Sequence, residues 1–226
     1  MKQTILSAAI VAATLASTKA ADAATFDLTG ALAESATFSF VQDGIGLTVS
    51  TGLYNDLTNV IRGPGGDDVV HRNANGLGVD RFDFPGFLFI PPSEGDPPEL
   101  NGSLEGSEML ILTFDQVVVF NTLSFGEVDA DDDFDLAIDG AFVAEDVSIQ
   151  PLNNPFVFAP GTRGTSLGVG ADTFLGAITG GGDDFRVAGV SVTAVPIPAG
   201  GALLLTGLAA LGFAGMRRRA GGAAKA

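Results

Sequence analysis

The sequence predicts an all-β fold, a single β-sandwich of jelly-roll type, between two apolar terminal segments. Short apolar runs alternate with turn residues between residues 25 and 194, and no helical period recurs there. Glycine is frequent as well, at 31 of 226 residues, about twice its usual share. Many short strands separated by turn signals are typical of sandwiches and barrels, so we expect about nine strands. The many phenylalanines should form the core.

Two short polar pairs in the sequence each separate two expected strands. Thr37–Val41 and Leu47–Thr51 flank Asp43-Gly44, which is a strong signal for a tight hairpin turn. Further along the chain, two β-branched and aromatic runs are predicted as separate strands because a polar pair, Asp115-Gln116, lies between them. These runs are Met109–Phe114 and Val117–Phe125.

The later strands show a period of two. Phe134, Leu136 and Ile138 alternate with Asp135, Ala137 and Asp139, which predicts one buried and one solvated face. Asp139-Gly140 should then turn the chain into Ala141–Val143. In the last strand the apolar phase slips at Ala188-Gly189, as a β-bulge would cause. The remaining expected strands are Phe156–Phe158, Phe174–Ile178 and Phe185–Thr193, and the expected long loops are Arg62–Arg81 and Pro91–Gly106.

The charge of the chain excludes some functions. The chain has 11 basic and 27 acidic residues and a net charge of -16. The region between the terminal segments keeps 26 of those acids against five arginines and contains no lysine. Such a surface repels phosphate backbones, so no nucleic-acid partner is expected. With no cysteine and a single histidine, disulfides, thiolate sites and multi-histidine zinc sites are excluded.

The first 23 residues have the composition of an export signal. Lys2 precedes an apolar run from Ile5 to Ala16, which as a helix would be about 18 Å long and too short to cross a membrane. Ala21-Asp22-Ala23 then fits the small-x-small rule for signal peptidase. We expect cleavage after Ala23, so that Ala24 begins the mature domain, predicted to cover residues 24–194.

The C-terminal segment is predicted to enter the membrane. A transmembrane helix is expected at about residues 199–216, followed by a basic stop-transfer cluster and a short cytoplasmic tail at residues 220–226. Two prolines precede the helix. The motif in front of the helix consists of Val195, Pro196, Ile197, Pro198, Ala199 and Gly200, and the basic cluster of Arg217, Arg218 and Arg219.

This combination of proline motif, apolar helix and arginine cluster resembles the sorting signal of exosortase-sorted, PEP-CTERM class proteins. The resemblance covers residues 195–219 and is to the VPLPA-CTERM variant, with Ile197 where leucine is usual and with an extension after the arginines. It implies a Gram-negative bacterium and a membrane transpeptidase that cuts near the prolines. It also implies a place at the cell surface or in the extracellular matrix, in association with exopolysaccharide.

A second, weaker resemblance lies in the middle of the chain. Gly76–Val79, Glu99–Gly102 and the run that begins at Glu108 look like a pattern in extracellular sandwiches that carry this tail. The resemblance implies the same fold and location, and no activity.

One cluster of acidic residues is a candidate metal site, because Ca²⁺ binds six to eight oxygen atoms. Its candidate ligands have alternating spacing but lack the glycine and the final glutamate of an EF-hand. The alternative interpretation is a solvated acidic loop. The candidate ligands are Glu127, Asp129, Asp131, Asp133 and Asp135, and a second possible set is Asp80, Asp83, Glu99 and Glu108.

Catalytic signals are weak. His71 lies in a Gly-, Asp- and Asn-rich stretch, where we expect an exposed polar residue rather than a member of a catalytic triad. Sugar-binding sites commonly use tryptophan or tyrosine platforms, and Tyr54 is the only residue of either type. The predicted function is therefore a non-enzymatic surface or biofilm-matrix protein, with calcium or glycan as its candidate ligand. The alternatives are a secreted carbohydrate-active enzyme with paired carboxylates and a plain single-pass anchored protein.

Overall fold

The described part of the chain contains fourteen β-strands and no helix, which confirms the all-β prediction. It comprises residues 22–55, 60–62, 68–80, 100–103, 106–129, 132–149, 153–171 and 183–196 of a computed structural model. The strands are β1 (Ala23–Asp27), β2 (Ala33–Ser35), β3 (Thr37–Gln42), β4 (Ile45–Asn55), β5 (Val60–Arg62), β6 (Val69–Asn73), β7 (Gly76–Asp80), β8 (Leu100–Ser103), β9 (Gly106–Gly126), β10 (Asp133–Ile138), β11 (Ala141–Ser148), β12 (Phe156–Val157), β13 (Arg163–Gly170) and β14 (Asp184–Ala194).

All these strands pair antiparallel, and β9 organises them. Its first half pairs with β4, from Tyr54↔Ser107 to Leu47↔Phe114. Its second half pairs with β14 instead, from Ala194↔Val118 to Arg186↔Gly126. β13 pairs with β9 on both sides of this exchange, from Gly170↔Met109 to Arg163↔Val119, with a register shift between the two parts. β9 therefore exchanges one neighbour for another near residues 115–117.

This course of β9 corrects the prediction of two strands separated by Asp115-Gln116. The chain does not turn there, because the pair contains neither glycine nor proline and the strand continues through it. Asp115 is exposed, and the Gln116 side chain donates a hydrogen bond to the Gly44 carbonyl. The two polar residues mark the place where β9 changes partners rather than a hairpin turn.

Both predicted hairpins are confirmed. Asp43 and Gly44 have φ of 51° and 79°, and Asp139 and Gly140 have φ of 49° and 81°. Two successive residues with positive φ define the type I′ turn, whose twist matches that of the flanking strands. The Asp139 carboxylate also accepts hydrogen bonds from the Thr165 and Ser166 amides. These bonds, the one from Thr165 first, hold the pKa of Asp139 below its usual value despite a smaller opposing effect of burial.

The predicted bulge in the last strand is also confirmed. Val187 pairs with Phe125 and Gly189 with Ser124, so Ala188 is the extra residue. The buried positions change phase across it, from Phe185 and Val187 to Val190 and Val192. One inserted residue moves the following side chains to the opposite face, which keeps the apolar ones in the core.

Two other expectations were wrong. The face of β10 that was expected to be solvated is buried: Asp135 lies there, and Ala137 packs beside Tyr54 and Met109. The predicted loops at 62–81 and 91–106 contain β6, β7 and β8, which lack long β-branched runs and form strands through pairing with their neighbours. Strands β1, β2, β5 and β13 were not anticipated either, and Phe174–Ile178 lies outside the described residues.

Phenylalanine rings form the core, as predicted. Eight rings make one continuous series of contacts, with centroids 4.6–6.0 Å apart, in the range for edge-to-face and tilted pairs. Side chains from both halves of β9 belong to the same apolar cluster. In order of contact, the rings are Phe26, Phe114, Phe120, Phe158, Phe156, Phe134, Phe125 and Phe185.

Residues Asp22–Val195 form one compact unit. Within the described ranges, no helix is long and apolar enough to cross a membrane. The predicted signal segment up to residue 21, the helix at 199–216 and the arginine cluster lie outside those ranges.

Candidate functional site

The first of the predicted calcium ligands directly follows β9. Glu127 follows β9 with a φ of 54°, and Asp129 lies exposed in the next loop. Asp133 and Asp135 lie on β10, and Asp131 lies outside the described residues. The four described residues are therefore close in sequence, but each of them engages a different partner.

Glu127 is bound by neighbouring strands. Its carboxylate pairs with Arg186 of β14 and accepts a hydrogen bond from the Asn75 side chain in the β6–β7 turn. Burial alone would raise the pKa of Glu127, but the hydrogen bonds from Asn75 and Arg186 and the arginine charge together lower it. Glu127 is therefore the counter-ion of an arginine whose side chain is only 2% exposed.

His71 lies beside this pair. It is buried on β6, so the expectation of an exposed loop residue was wrong. Its Nδ1 lies 3.3 Å from an Arg186 guanidinium nitrogen. A guanidinium nitrogen can donate a hydrogen bond but cannot accept one. Nδ1 must therefore be the acceptor, which requires it to be unprotonated. The single histidine thus packs against the Arg186 guanidinium.

A second group of carboxylates joins the starts of β10 and β14. One Asp132 oxygen accepts the Asp184 amide at 3.1 Å, and an Asp183 oxygen accepts the Asp133 amide at 2.9 Å. The other Asp132 oxygen accepts the Asp129 amide. Asp132 and Asp183 are 1% and 7% exposed. We call this reciprocal arrangement the aspartate clasp. Its one signal in the sequence is an Asp-Asp pair at the start of each strand.

The clasp has an unusual protonation equilibrium. Burial, followed by the nearby charges of Asp133 and Asp132, raises the pKa of Asp183 from 3.8 to about 8. The folded state therefore holds this proton more tightly than the unfolded state does. By linkage, the contribution of Asp183 to stability is complete below about pH 4 and is lost as the pH rises through about 8.

We expect the melting temperature to fall between pH 6 and pH 9, measured by circular dichroism in the presence of a chelator. Asp183→Asn should flatten this dependence, because asparagine keeps an oxygen acceptor for the Asp133 amide and needs no proton. Asp43→Asn is the matched control: it makes the same substitution in an exposed turn where asparagine is well tolerated. Equal slopes for wild type and Asp183→Asn would contradict this assignment.

Asp135 has a structural partner as well. It is buried on β10, and its carboxylate accepts the amide of Asp146 on β11 at 2.9 Å. Within the described ranges, no three histidine or acidic side chains are grouped so that they could hold a metal ion. Of the second set, Glu108 is buried in β9, while Asp83 and Glu99 lie outside the described residues.

Tyr54, the single candidate for a sugar-stacking platform, is also interior. It is 1% exposed, and its ring contacts Phe142 at a centroid distance of 5.4 Å. A ring covered in this way has no free face for a sugar, so stacking on tyrosine is not available to this domain.

The two predicted processing points meet at one end of the sheet. Ala23 of β1 pairs with Thr193 of β14, and Ala24 is fully buried. The sheet continues to Val195, whose amide donates to the Val117 carbonyl at 3.2 Å. Pro196 is exposed. The predicted sorting motif, which begins at Val195, therefore follows β14 directly.

Comparison with family models, curated proteins and solved structures finds no match to this chain.

Proposed function

We propose that this chain is an exported, non-enzymatic surface or biofilm-matrix protein whose residues 195–219 are an exosortase sorting signal. The observation that carries the proposal is the order of its parts at the C-terminus. An all-β unit ends at Val195, two prolines follow at once, and an apolar run ends in three arginines. In this proposal the prolines present the chain to a protease, and the apolar run inserts into the membrane. The arginines retain the tail in the cytoplasm.

The described end of β14 supports the first of these tasks. Proline fixes φ and has no backbone donor, so Pro196 cannot extend the ladder that β9 and β14 form. The residue before a proline favours an extended conformation, which suits Val195 as the last hydrogen-bonded residue. A segment that leaves a stable sheet in this way is a suitable substrate for a membrane protease.

The proposed architecture is a jelly-roll type β-sandwich. Its support is the exchange of neighbours along β9, which pairs with β4 in one half and with β14 in the other. Strands that pass between two sheets commonly bend at such places. The series of phenylalanine rings runs from residues on one half of β9 to residues on the other, as a core between two sheets requires.

Export is supported at the N-terminus. Signal-peptidase cleavage after Ala23 would remove the basic start and the apolar run and leave Ala24 and Phe26 in the core. The mature domain would therefore keep nearly all of β1 and its pairing with β14. In this proposal signal peptidase and an exosortase-type transpeptidase are the processing partners, and exopolysaccharide is the surface partner.

The test is expression of the full chain in two otherwise matched Gram-negative hosts, one with an exosortase and one from which it has been deleted. We expect the protein at the surface or in the medium of the first host, and a full-length form in the inner membrane of the second. The same membrane-bound form in both hosts would favour a plain anchored protein. Turnover of polysaccharide that is lost on one carboxylate substitution would favour the enzyme alternative.

We propose calcium as the ligand of the acidic loop on the basis of its composition. Asp129 is exposed and Asp133 half-buried beside the aspartate clasp, where a cation would offset repulsion between carboxylates. Selective binding to the folded state would add about 2.7 kcal/mol at a hundredfold excess over Kd.

The calcium prediction is checked by melting curves in millimolar Ca²⁺ and in chelator at equal ionic strength. We expect a higher melting temperature with Ca²⁺, and no such shift in the double variant Asp131→Asn, Asp133→Asn. A variant with Asp115→Asn, which removes an exposed carboxylate elsewhere, should respond like wild type. Equal melting temperatures with and without Ca²⁺ would reject a specific site.

A further inference from the structure

The sheet holds the chain up to the first residue of the sorting motif. Ala194 pairs with Val118 of β9, and the Val195 amide donates to the Val117 carbonyl at 3.2 Å. Val195 is half-buried, whereas Pro196 is exposed. The boundary between hydrogen-bonded and exposed chain therefore falls between Val195 and Pro196.

The end of β14 is restrained on more than one side. β9 lies along one edge, and β1 along the other through pairs such as Ala24↔Val192. The Asn121 side chain also donates to the Thr193 hydroxyl at 2.9 Å. The pairing with β1 ends at Thr193, and Ala194 and Val195 are held on the β9 edge. Hydrogen-bonded strands beside the core are among the last parts of a sheet to open. A protease that must bind extended chain through its backbone groups has no access to these residues in the folded domain.

The chemistry of proline further limits which peptide bonds the protease can cut. The Val195–Pro196 and Ile197–Pro198 bonds are tertiary amides whose nitrogen carries no proton, and the residue before each proline is conformationally restricted. These bonds are poor candidates for attack. The first peptide bond after Val195 whose nitrogen carries a proton is Pro196–Ile197, and the next is Pro198–Ala199.

We propose that the folded domain sets the upstream limit of the sorting cut, so that cleavage falls beyond Pro196 and the mature protein keeps Val195 and Pro196. This inference rests on the proposed sorting function. In the step itself, the C–N bond breaks, the acyl carbon takes an oxygen from water or a nitrogen from an amine acceptor, and the tail leaves as a new amine. In hydrolysis, water supplies the proton that the leaving amine takes up. In transfer to an acceptor, the acceptor amine supplies that proton and the acceptor stays on the domain. The two products therefore differ in mass.

The first test is the intact mass and C-terminal peptide of the protein released by the host that has an exosortase. We expect the last residue to be Pro196 or a later residue. A released protein that ends at Val195 or earlier would overturn the inference and leave the sorting function standing. A protein that is never released and keeps Arg217–Arg219 would overturn both.

The second test examines shielding by the fold. Full-length protein from the host without exosortase, in detergent, is treated briefly with a broad-specificity protease. Wild type should be cut beyond Pro196, and not between Val192 and Val195. A Gly-Ser-Gly-Ser insertion between Ala194 and Val195 should add cuts within the insert, whereas the same insertion between Pro196 and Ile197 should leave residues 192–195 uncut. Early cuts at residues 192–195 of wild type would overturn the inference.

Discussion

Alanine at both Pro196 and Pro198 is expected to abolish release of the protein while leaving its insertion in the membrane intact. The apolar run and the three arginines are unchanged in this variant, so partitioning and orientation should be preserved. The alanines restore two backbone donors and allow helical or paired conformations that proline forbids. If the proposed sorting function holds, the protease loses the segment that the prolines present to it, and the full-length form should accumulate.

Pulse-chase labelling with fractionation measures this effect. Pro160→Ala is the matched control, because Pro160 is an exposed proline in a turn before Gly161 and lies far along the chain from the tail. The control should be released at the wild-type rate. Glutamine at Arg217, Arg218 and Arg219 should instead disturb retention and topology. Wild-type release of the double proline variant would favour a simple transmembrane anchor.

Gly76→Ala should cause the largest loss of stability among single small substitutions in the β6–β7 turn. Gly76 has a φ of +139°, and a Cβ placed there would lie 2.5 Å from the Val187 carbonyl oxygen, which is backbone and cannot move aside cheaply. Backbone strain and overpacking together should cost about 3 kcal/mol or more. The shift would also move Asn75 away from Glu127 and so disturb the partner of Arg186.

Gly44→Ala separates the two causes. Gly44 also has positive φ, at +79°, but no atom lies within 4 Å of its ideal Cβ position. The Gly44→Ala variant should therefore lose only the part of the unfolding free energy that comes from backbone strain, about 1 kcal/mol. Urea unfolding of both variants gives the comparison. Equal losses of unfolding free energy would show that the β6–β7 turn does not lie close enough to the β14 backbone to clash with a Cβ at position 76.

The parts of the fold that were predicted correctly depend on local chemistry. Asp43-Gly44 and Asp139-Gly140 specify their turns almost alone, because type I′ geometry requires residues that tolerate positive φ. The bulge at Ala188 was visible because the apolar phase changes within one short strand. Both signals lie within a few residues of sequence.

The parts that were missed depend on distant partners. β6, β7 and β13 have few β-branched or aromatic runs, and they are strands because neighbours pair with both of their edges. The Asp115-Gln116 pair looked like a turn because nothing nearby shows that β4 and β14 divide the edge of β9 between them. Contacts of this kind have no local signature.

The same distinction applies to the candidate site. Acidic composition at residues 127–135 was evident, but composition does not show that Glu127 neutralises Arg186 or that Asp135 binds the Asp146 amide. The clasp partner Asp183 lies about fifty positions further on. Burial of His71 was equally hidden, because Arg186 approaches it from β14. Pairing across strands determines which carboxylates are available to a ligand.

Intact mass spectrometry of the mature protein, isolated from a Gram-negative host that has an exosortase, tests the central claim most directly because it reads both ends at once. The account predicts an N-terminus at Ala24, within about three residues, and a chain that lacks Arg217–Arg219. A protein recovered outside the cytoplasm that retains Met1, or a surface protein that retains all three arginines, would contradict it.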